Sequence, residues 1–460
     1  MSTEAPGDLE ALARRALEAA LSAGATDAEA FAEDSTGVEI KVYEGEVESL
    51  AESAARGVGV RAWIDGRTGY AYGTDLSDEG LRAISADAAE AARIADPDEF
   101  AGPPEVAGAV PAPIAGLHDP SLARWSTGLK VTLAQEIERH CRSFDPRIVA
   151  IEQTVYADDE SRVAIASSAG AGGSYESTDS YAYLQAIAGG NGEDKETGLG
   201  FGVARGPQSL DPEAIGIEAA ERAVSLIGAT KPASRTCPVV LDQTVAASFV
   251  GFIGGVLSAD AVQRGRSPFA GRLGDEIASA ALTLSDDGTD PEGPASAPFD
   301  AEGTPRARTP LIEAGTLRTY LHDSYTARRE GGGQRSTGNA SRAGYRSAPA
   351  VSTSNLVISP GGGALEDLLA SADGGIYVTD VAGLHSGVNP VSGTFSVGAS
   401  GREIAGGELA APHTEFTIAS DLPAMLRAVQ AAARETRWVP FGGSVKSAAL
   451  FIGEMAVGGT

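Results

Sequence analysis

The 460-residue sequence is poor in lysine, histidine and cysteine. Its 35 basic residues, of which five are lysine, face 63 acidic ones, for a formal net charge of −28. With no Lys/Arg cluster to interrupt the repulsion, such a chain disfavours phosphate backbones and anionic membrane surfaces, which argues against nucleic acid or membrane as a partner. A composition rich in Ala, Gly, Arg and acid but low in Lys is equally what a genome's base composition or a saline habitat imposes. The two cysteines, Cys141 and Cys237, are far apart and form no C-x-x-C. That excludes a disulfide framework and a zinc knuckle, and fits a reducing cytoplasm. The start "MSTEAPGDLEALARR" carries acid where a signal peptide needs a basic region, and no apolar run follows it. One uncharged apolar stretch, "QTVAASFVGFIGGVLSA" between Asp242 and Asp260, is short for a membrane span and broken by Gly251, Gly254 and Gly255. A buried helix is the reading it supports.

What is present is a globular composition, 42% hydrophobic with a mean hydropathy of −0.07. A chain of this length normally needs more than one core. Leu9, Leu12, Ala16, Leu17, Ala20 and Leu21 recur at helical spacing, and Gly24 offers a stop. Val38, Ile40 and Val42 alternate as a strand does, with turns at Glu44-Gly45 and Asp65-Gly66. Further helices are expected over 81–95, 129–142, 211–227, 364–371 and 422–434, and a Pro-rich surface connection over 96–120. Strands cluster between about 148 and 206 and again beyond 305. Runs of strands with segregated helices indicate an α+β fold. The expected division is a mixed N-terminal domain, 1–228, and a strand-rich C-terminal domain, 229–460.

Chemistry is sparse. None of the five histidines, at 118, 140, 322, 385 and 413, is followed by Glu, so H-E-x-x-H is absent. The sequence also lacks a P-loop and G-x-S-x-G, and "GLGFG" at 198–202 misses dinucleotide spacing and reads as a strand edge. The stretch "GLHSGVNPVSGTFSVGASG" at 383–401 sets His385 and Asn389 among small residues. It reads as a site, with Ser386, Asn389 and Ser392 as hydrogen-bonding groups and His385 as base or ligand. The bare chemistry favours the other reading, a buried strand and turn admitting close backbone approach. Arg342 offers a planar fork to a substrate carboxylate or to a structural ion pair. Arg264, Arg266 and Arg272 form a local basic exception in an acidic chain. Trp63, Trp125 and Trp438 read as core or interface anchors.

"STGNASR" (336–342), "SNLVISPG" (354–361), "GIYVTDVAGLHSGVNPVSGTFSVGASGREIAGGE" (375–408), "TIASDL" (417–422) and the terminal "GGT" resemble the TldD/PmbA family, also called the modulator of DNA gyrase family. The order of segments and "SGVNPVSGTFSVGA" are similar to its PmbA (TldE) branch, over essentially the whole chain. The resemblance implies a zinc metallopeptidase system in which the TldD member carries His-Glu-x-x-x-His on a helix and a Cys near the C-terminus. Laying that helix on 248–274 through "SPFAGRLG" puts Val250 and Gly255 where the two His would be and Gly251 where the Glu would be. The segment "RETRWVPFGGSVKSAALFIGEM" has no Cys. The implied assignment is a PmbA/TldE-like subunit with no metal of its own, paired as a heterodimer with a TldD-like paralogue that holds zinc and acting on unfolded peptides. Residues 383–401 and Arg342 would then line a shared cavity. Two other readings stand beside it: a homodimeric peptide-binding scaffold without peptidase activity, and a hydrolase in which His385 or His413 serves a serine. The last has little support, because no carboxylate is placed to orient either histidine.

Overall fold

The computed structural model describes residues 6–105, 111–189 and 195–460. The first five residues, 106–110 of the Pro-rich connection and the end of "SYAYLQAIAGG" lie outside the described residues.

The first half comprises α1 (Pro6–Ser22), β1 (Asp27–Tyr43), β2 (Glu46–Ile64), β3 (Arg67–Gly73), α2 (Asp78–Ile94) and α3 (Thr127–Phe144). It continues with β4 (Ile148–Ser167), β5 (Gly172–Gly189), β6 (Lys195–Ala204) and α4 (Pro212–Val224). All six strands form one antiparallel sheet, in the order β3-β2-β1-β4-β5-β6. Both tight turns lie in left-handed backbone, with φ of 53° and 79° at Glu44-Gly45 and 49° and 72° at Asp65-Gly66. Positive φ at both central residues matches the twist of a hairpin. One face of the sheet packs on helices. Ala28, Ala30, Val58 and Val60 meet the apolar faces of α1 and α2, while Ile40, Tyr156 and Leu184 meet α3 and α4. The "GLGFG" run is edge strand β6, and a β-carbon on Gly200 would stand 2.1 Å from the carbonyl oxygen of Ile215. Glycine there lets α4 rest its backbone on the strand.

The second half opens with β7 (Arg235–Leu241), α5 (Gln243–Val256), α6 (Ala259–Gln263), β8 (Leu284–Asp287), β9 (Arg308–Glu313), β10 (Thr316–Leu317) and α7 (Ser324–Glu330). Next come β11 (Ala340–Ser341), β12 (Ala350–Val351), β13 (Asn355–Ile358), α8 (Leu365–Ser371), β14 (Ile376–Ala382) and α9 (Leu384–Gly387). β15 (Thr394–Ala405), β16 (Glu408–Asp421), α10 (Leu422–Ala428), β17 (Ala431–Val439) and β18 (Ser444–Gly458) complete the chain. Strand β7 pairs with both β14 and β18, β18 with β16, β16 with β15, and β15 with β14. These five strands therefore close on themselves. Helix α5 packs against β18 with β14 and β17 beside it, burying Val245, Phe249, Val250 and Ile253 in the largest core.

The architecture is α+β, with helices gathered on one face of an antiparallel sheet and around a second sheet. Among the described residues no helix is long and apolar enough to cross a membrane. Two local expectations change. The helix expected over 422–434 ends at Ala428, because residues from Ala431 pair with β18 and the ladder overrides helical spacing. The buried strand and turn read over 383–401 holds in its second part, where residues from Thr394 form β15 and a β-carbon on Gly401 would stand 2.1 Å from the Tyr377 carbonyl oxygen, but residues 383–392 begin with the single turn α9, and His385, Ser386, Asn389 and Ser392 are all exposed.

Candidate functional site

Helix α5 is fixed at its start by a charged network. Asp242 is its N-cap and accepts from the Thr244 amide at 3.0 Å, while Arg222 Nη2 stands 3.1 Å from Asp242 Oδ1 and the Tyr377 hydroxyl donates to Asp242 Oδ2 at 2.6 Å. Burial opposes ionisation of Asp242, but the Arg222 charge and the bonds from Thr244 and Tyr377 outweigh it and hold the carboxyl below its ordinary range. Burial and the neighbouring Asp242 push the Tyr377 phenol up. Arg437 extends the network, with Nη1 2.6 Å from Glu218 Oε1 and its guanidinium 4.0 Å above the Phe201 ring. Thr244, Val245 and Ser248 on α5 line a cavity of about 240 Å³ shared with Gln185, Leu199 and Phe441.

Farther along α5 the helix is closed on one side. A β-carbon on Gly251 would lie 2.3 Å from the carbonyl oxygen of Gly442, in the loop between β17 and β18. Real β-carbons do not approach so closely, so any side chain at 251 must displace that backbone. Val250 is 3% exposed. Gly255 has open space around it.

The loop 383–392 is organised by Asn389, whose Oδ1 accepts from the amides of Val391 and Ser392 at 2.9 and 3.2 Å. The Ser392 hydroxyl meets that of Thr394 at 2.8 Å, and Ser386 Oγ donates to the Gly383 carbonyl at 3.3 Å. His385 makes no hydrogen bond among the described residues. Arg342 is elsewhere, at the junction of the two halves: its Nη2 is 2.6 Å from Glu29 Oε1 and 2.6 Å from the Ala301 carbonyl, and its guanidinium lies 4.3 Å above Phe31. The structure therefore brings His385, Ser386, Asn389 and Ser392 into one loop and leaves Arg342 apart, in an ion pair. Sequence reasoning missed the rest of that junction, where Arg61 bridges Glu29 and Glu302 at 2.8 and 2.9 Å and Glu302 accepts from Ser324. These residues share no motif or spacing that would have found them.

Models of the PmbA/TldA metallopeptidase domain 1, central domain and C-terminal domain match residues 28–95, 120–227 and 234–459. The metalloprotease PmbA of Escherichia coli O157:H7 is 30% identical over 422 residues, 91% of this chain and 90% of that protein. The chain belongs to the PmbA/TldD metallopeptidase family. A PmbA homolog of Haemophilus influenzae is 26% identical over 96% of this chain and 94% of its own length. Among solved structures of this fold, TldE of Thermococcus kodakarensis superposes with a TM-score of 0.86 at 22% identity, covering 97% of this chain and 99% of that one. A Thermotoga maritima protein named for modulation of a DNA gyrase superposes at 0.87 with 25% identity, covering 96% and 98%.

Relatives in this family are named metalloproteases, so the donor set of α5 bears on what this member holds. Val250 and Gly255 have no lone pair for a metal, and Gly251 has no carboxylate to activate water. Among the described residues no three His, Cys, Asp or Glu side chains converge as a metal set. The residues on α5 do not fit zinc.

Proposed function

We propose that this chain is the PmbA/TldE-like, non-catalytic subunit of a TldD/TldE-type zinc metallopeptidase complex that processes or degrades unfolded peptides in the cytoplasm. The partner is a TldD-like relative that carries zinc and His-Glu-x-x-x-His. One observation carries the reading: the Gly442 carbonyl fills the space where a residue at 251 would place its side chain. The helix itself keeps its N-cap, its ion pair and its packed face, which supports retention of α5 as scaffold. Within this reading the exposed loop bearing His385, Ser386, Asn389 and Ser392 faces partner or peptide, and the division at 228/229 separates two structural domains.

The test is a native mass spectrum of this chain co-expressed with its nearest His-Glu-x-x-x-His paralogue, recording subunit composition and zinc together. A one-to-one complex with a single zinc is expected. A metal-free homodimer that ignores the paralogue would overturn the proposal in favour of a peptide-binding scaffold.

A further inference from the structure

A second cavity, of about 360 Å³, lies where β2 and β3, the connection after α2, and helices α6 and α7 meet. Three arginines reach it, Arg61, Arg264 and Arg328. Asp260 and Asp323 also line it, and both are already engaged. Asp260 Oδ1 accepts from Arg264 Nε at 2.7 Å, and Asp323 Oδ1 accepts from the amide and hydroxyl of Thr326 at 2.8 and 2.7 Å. Arg61 is held from behind by Glu29 and Glu302, its side chain is 10% exposed, and its Nε has no hydrogen-bond partner. Arg328 is anchored on three backbone carbonyls, of Phe100, Pro103 and Gly102, at 2.6, 2.9 and 2.8 Å. Among the described residues no carboxylate forms an ion pair with it. A guanidinium has five N–H groups, so Arg328 keeps two after those three bonds.

The cavity is thus lined by Arg61, whose buried Nε is unpartnered, and by Arg328, which keeps two N–H groups, while Arg264 shares its charge with Asp260 and Asp323 is bonded to Thr326. Donors without acceptors in a partly buried site call for an oxyanion. Trp63 and Val351 supply an apolar wall, and the Ser258 hydroxyl at the rim donates to the Gly255 carbonyl at 2.8 Å. The cavity therefore lies just past the end of α5, beside Gly255. Small-molecule sites span roughly 300–1,000 Å³, so this volume suits one residue and not a folded partner.

We propose that this cavity binds the C-terminal carboxylate of a peptide through Arg61, Arg264 and Arg328, with the terminal side chain against Trp63 and Val351. That a peptide carries the carboxylate rests on the proposed function; the demand for an anion does not.

Fluorescence anisotropy on the full-length chain tests it, using two labelled pentapeptides of one sequence, a free acid and its amide, with inorganic phosphate as competitor. The free acid is expected to bind about tenfold more tightly than the amide, since a hydrogen-bonded charge is the difference. Arg264→Gln, at an exposed side chain, weakens the free acid alone, and Arg328→Gln, checked for folding by its thermal melt, removes the preference. Equal binding of acid and amide, no binding of either by folded protein, or a preference kept in both variants overturns the proposal. So does phosphate that displaces the peptide at concentrations comparable with it, which marks an inorganic-anion site. An acid preference in a chain that forms no complex with the paralogue retains this cavity and rejects the subunit reading. A complex without the preference does the reverse.

Discussion

Arg342 and Glu29, 313 residues apart in sequence, meet at 2.6 Å with side chains 2% and 1% exposed. Each would be costly alone in that environment, and together with Arg61 and Glu302 they tie the first sheet to the second half of the chain. Arg342→Met removes one charge and leaves Glu29 to Arg61. A loss of about 3 kcal/mol is expected, at the lower end for breaking a buried pair, read from urea unfolding. If stability is unchanged and only peptide binding suffers, Arg342 serves substrate and the structural assignment fails.

Gly251 and Gly255, two of the three glycines of α5, should respond oppositely. Gly251→Ala meets the Gly442 carbonyl and is expected to destabilise by about 1–3 kcal/mol, the usual cost of overpacking. Gly255→Ala has open space and gains helix propensity, for a change between zero and about 1 kcal/mol of stabilisation. Thermal melts of the two variants decide it. The same collision predicts that the triple variant Val250→His, Gly251→Glu, Gly255→His does not take up one equivalent of zinc by elemental analysis.

Asp242 sets a pH dependence. Its folded value lies below the ordinary aspartate range because Arg222, Thr244 and Tyr377 outweigh burial. A depressed carboxyl contributes stability above its unfolded value and loses it as pH falls from that range through the folded value. Arg222→Gln leaves burial dominant and raises the carboxyl. The variant is therefore expected to be less stable at neutral pH and to lose the acid-side slope below the ordinary aspartate range. Urea midpoints from pH 3 to 7 measure it, and parallel curves for both proteins would reject the assignment.

His385 is exposed and unbonded among the described residues, so His385→Ala should leave the melting temperature of the isolated chain unchanged. If the proposed complex with a TldD-like relative forms, a fall in its peptide turnover is the expected effect. Unchanged turnover would remove His385 from the site. Asn389→Ala, by contrast, frees the Val391 and Ser392 amides and is expected to cost about 1 kcal/mol or less, since both are exposed.

Much of the fold is legible locally. The helical spacing of Leu9 to Leu21, the Glu44-Gly45 and Asp65-Gly66 turns and the apolar run of α5 each specify an element without reference to anything distant. The failures are equally local in origin. Residues 429–434 carry a helix-like pattern, yet Ala431 and Ala432 pair with Phe451 and Leu450, and that partner is invisible from the segment alone. The sequence of 383–392 is small and uncharged apart from one His, which suggests burial, whereas within this stretch, between β14 and β15, only Val388 is buried and His385, Ser386, Asn389 and Ser392 meet solvent.

The sequence by itself determined the α+β character, the family resemblance and the lack of metal donors at 250, 251 and 255, because periodicity, turn chemistry and residue type are properties of single positions or short windows. Only the tertiary structure decided that Arg342 faces Glu29, that Gly442 closes the helix at Gly251, and that Arg61, Arg264 and Arg328 share one cavity. Each of these joins residues tens to hundreds of positions apart. Such contacts depend on how sheets and helices dock on one another, and no local pattern encodes that geometry.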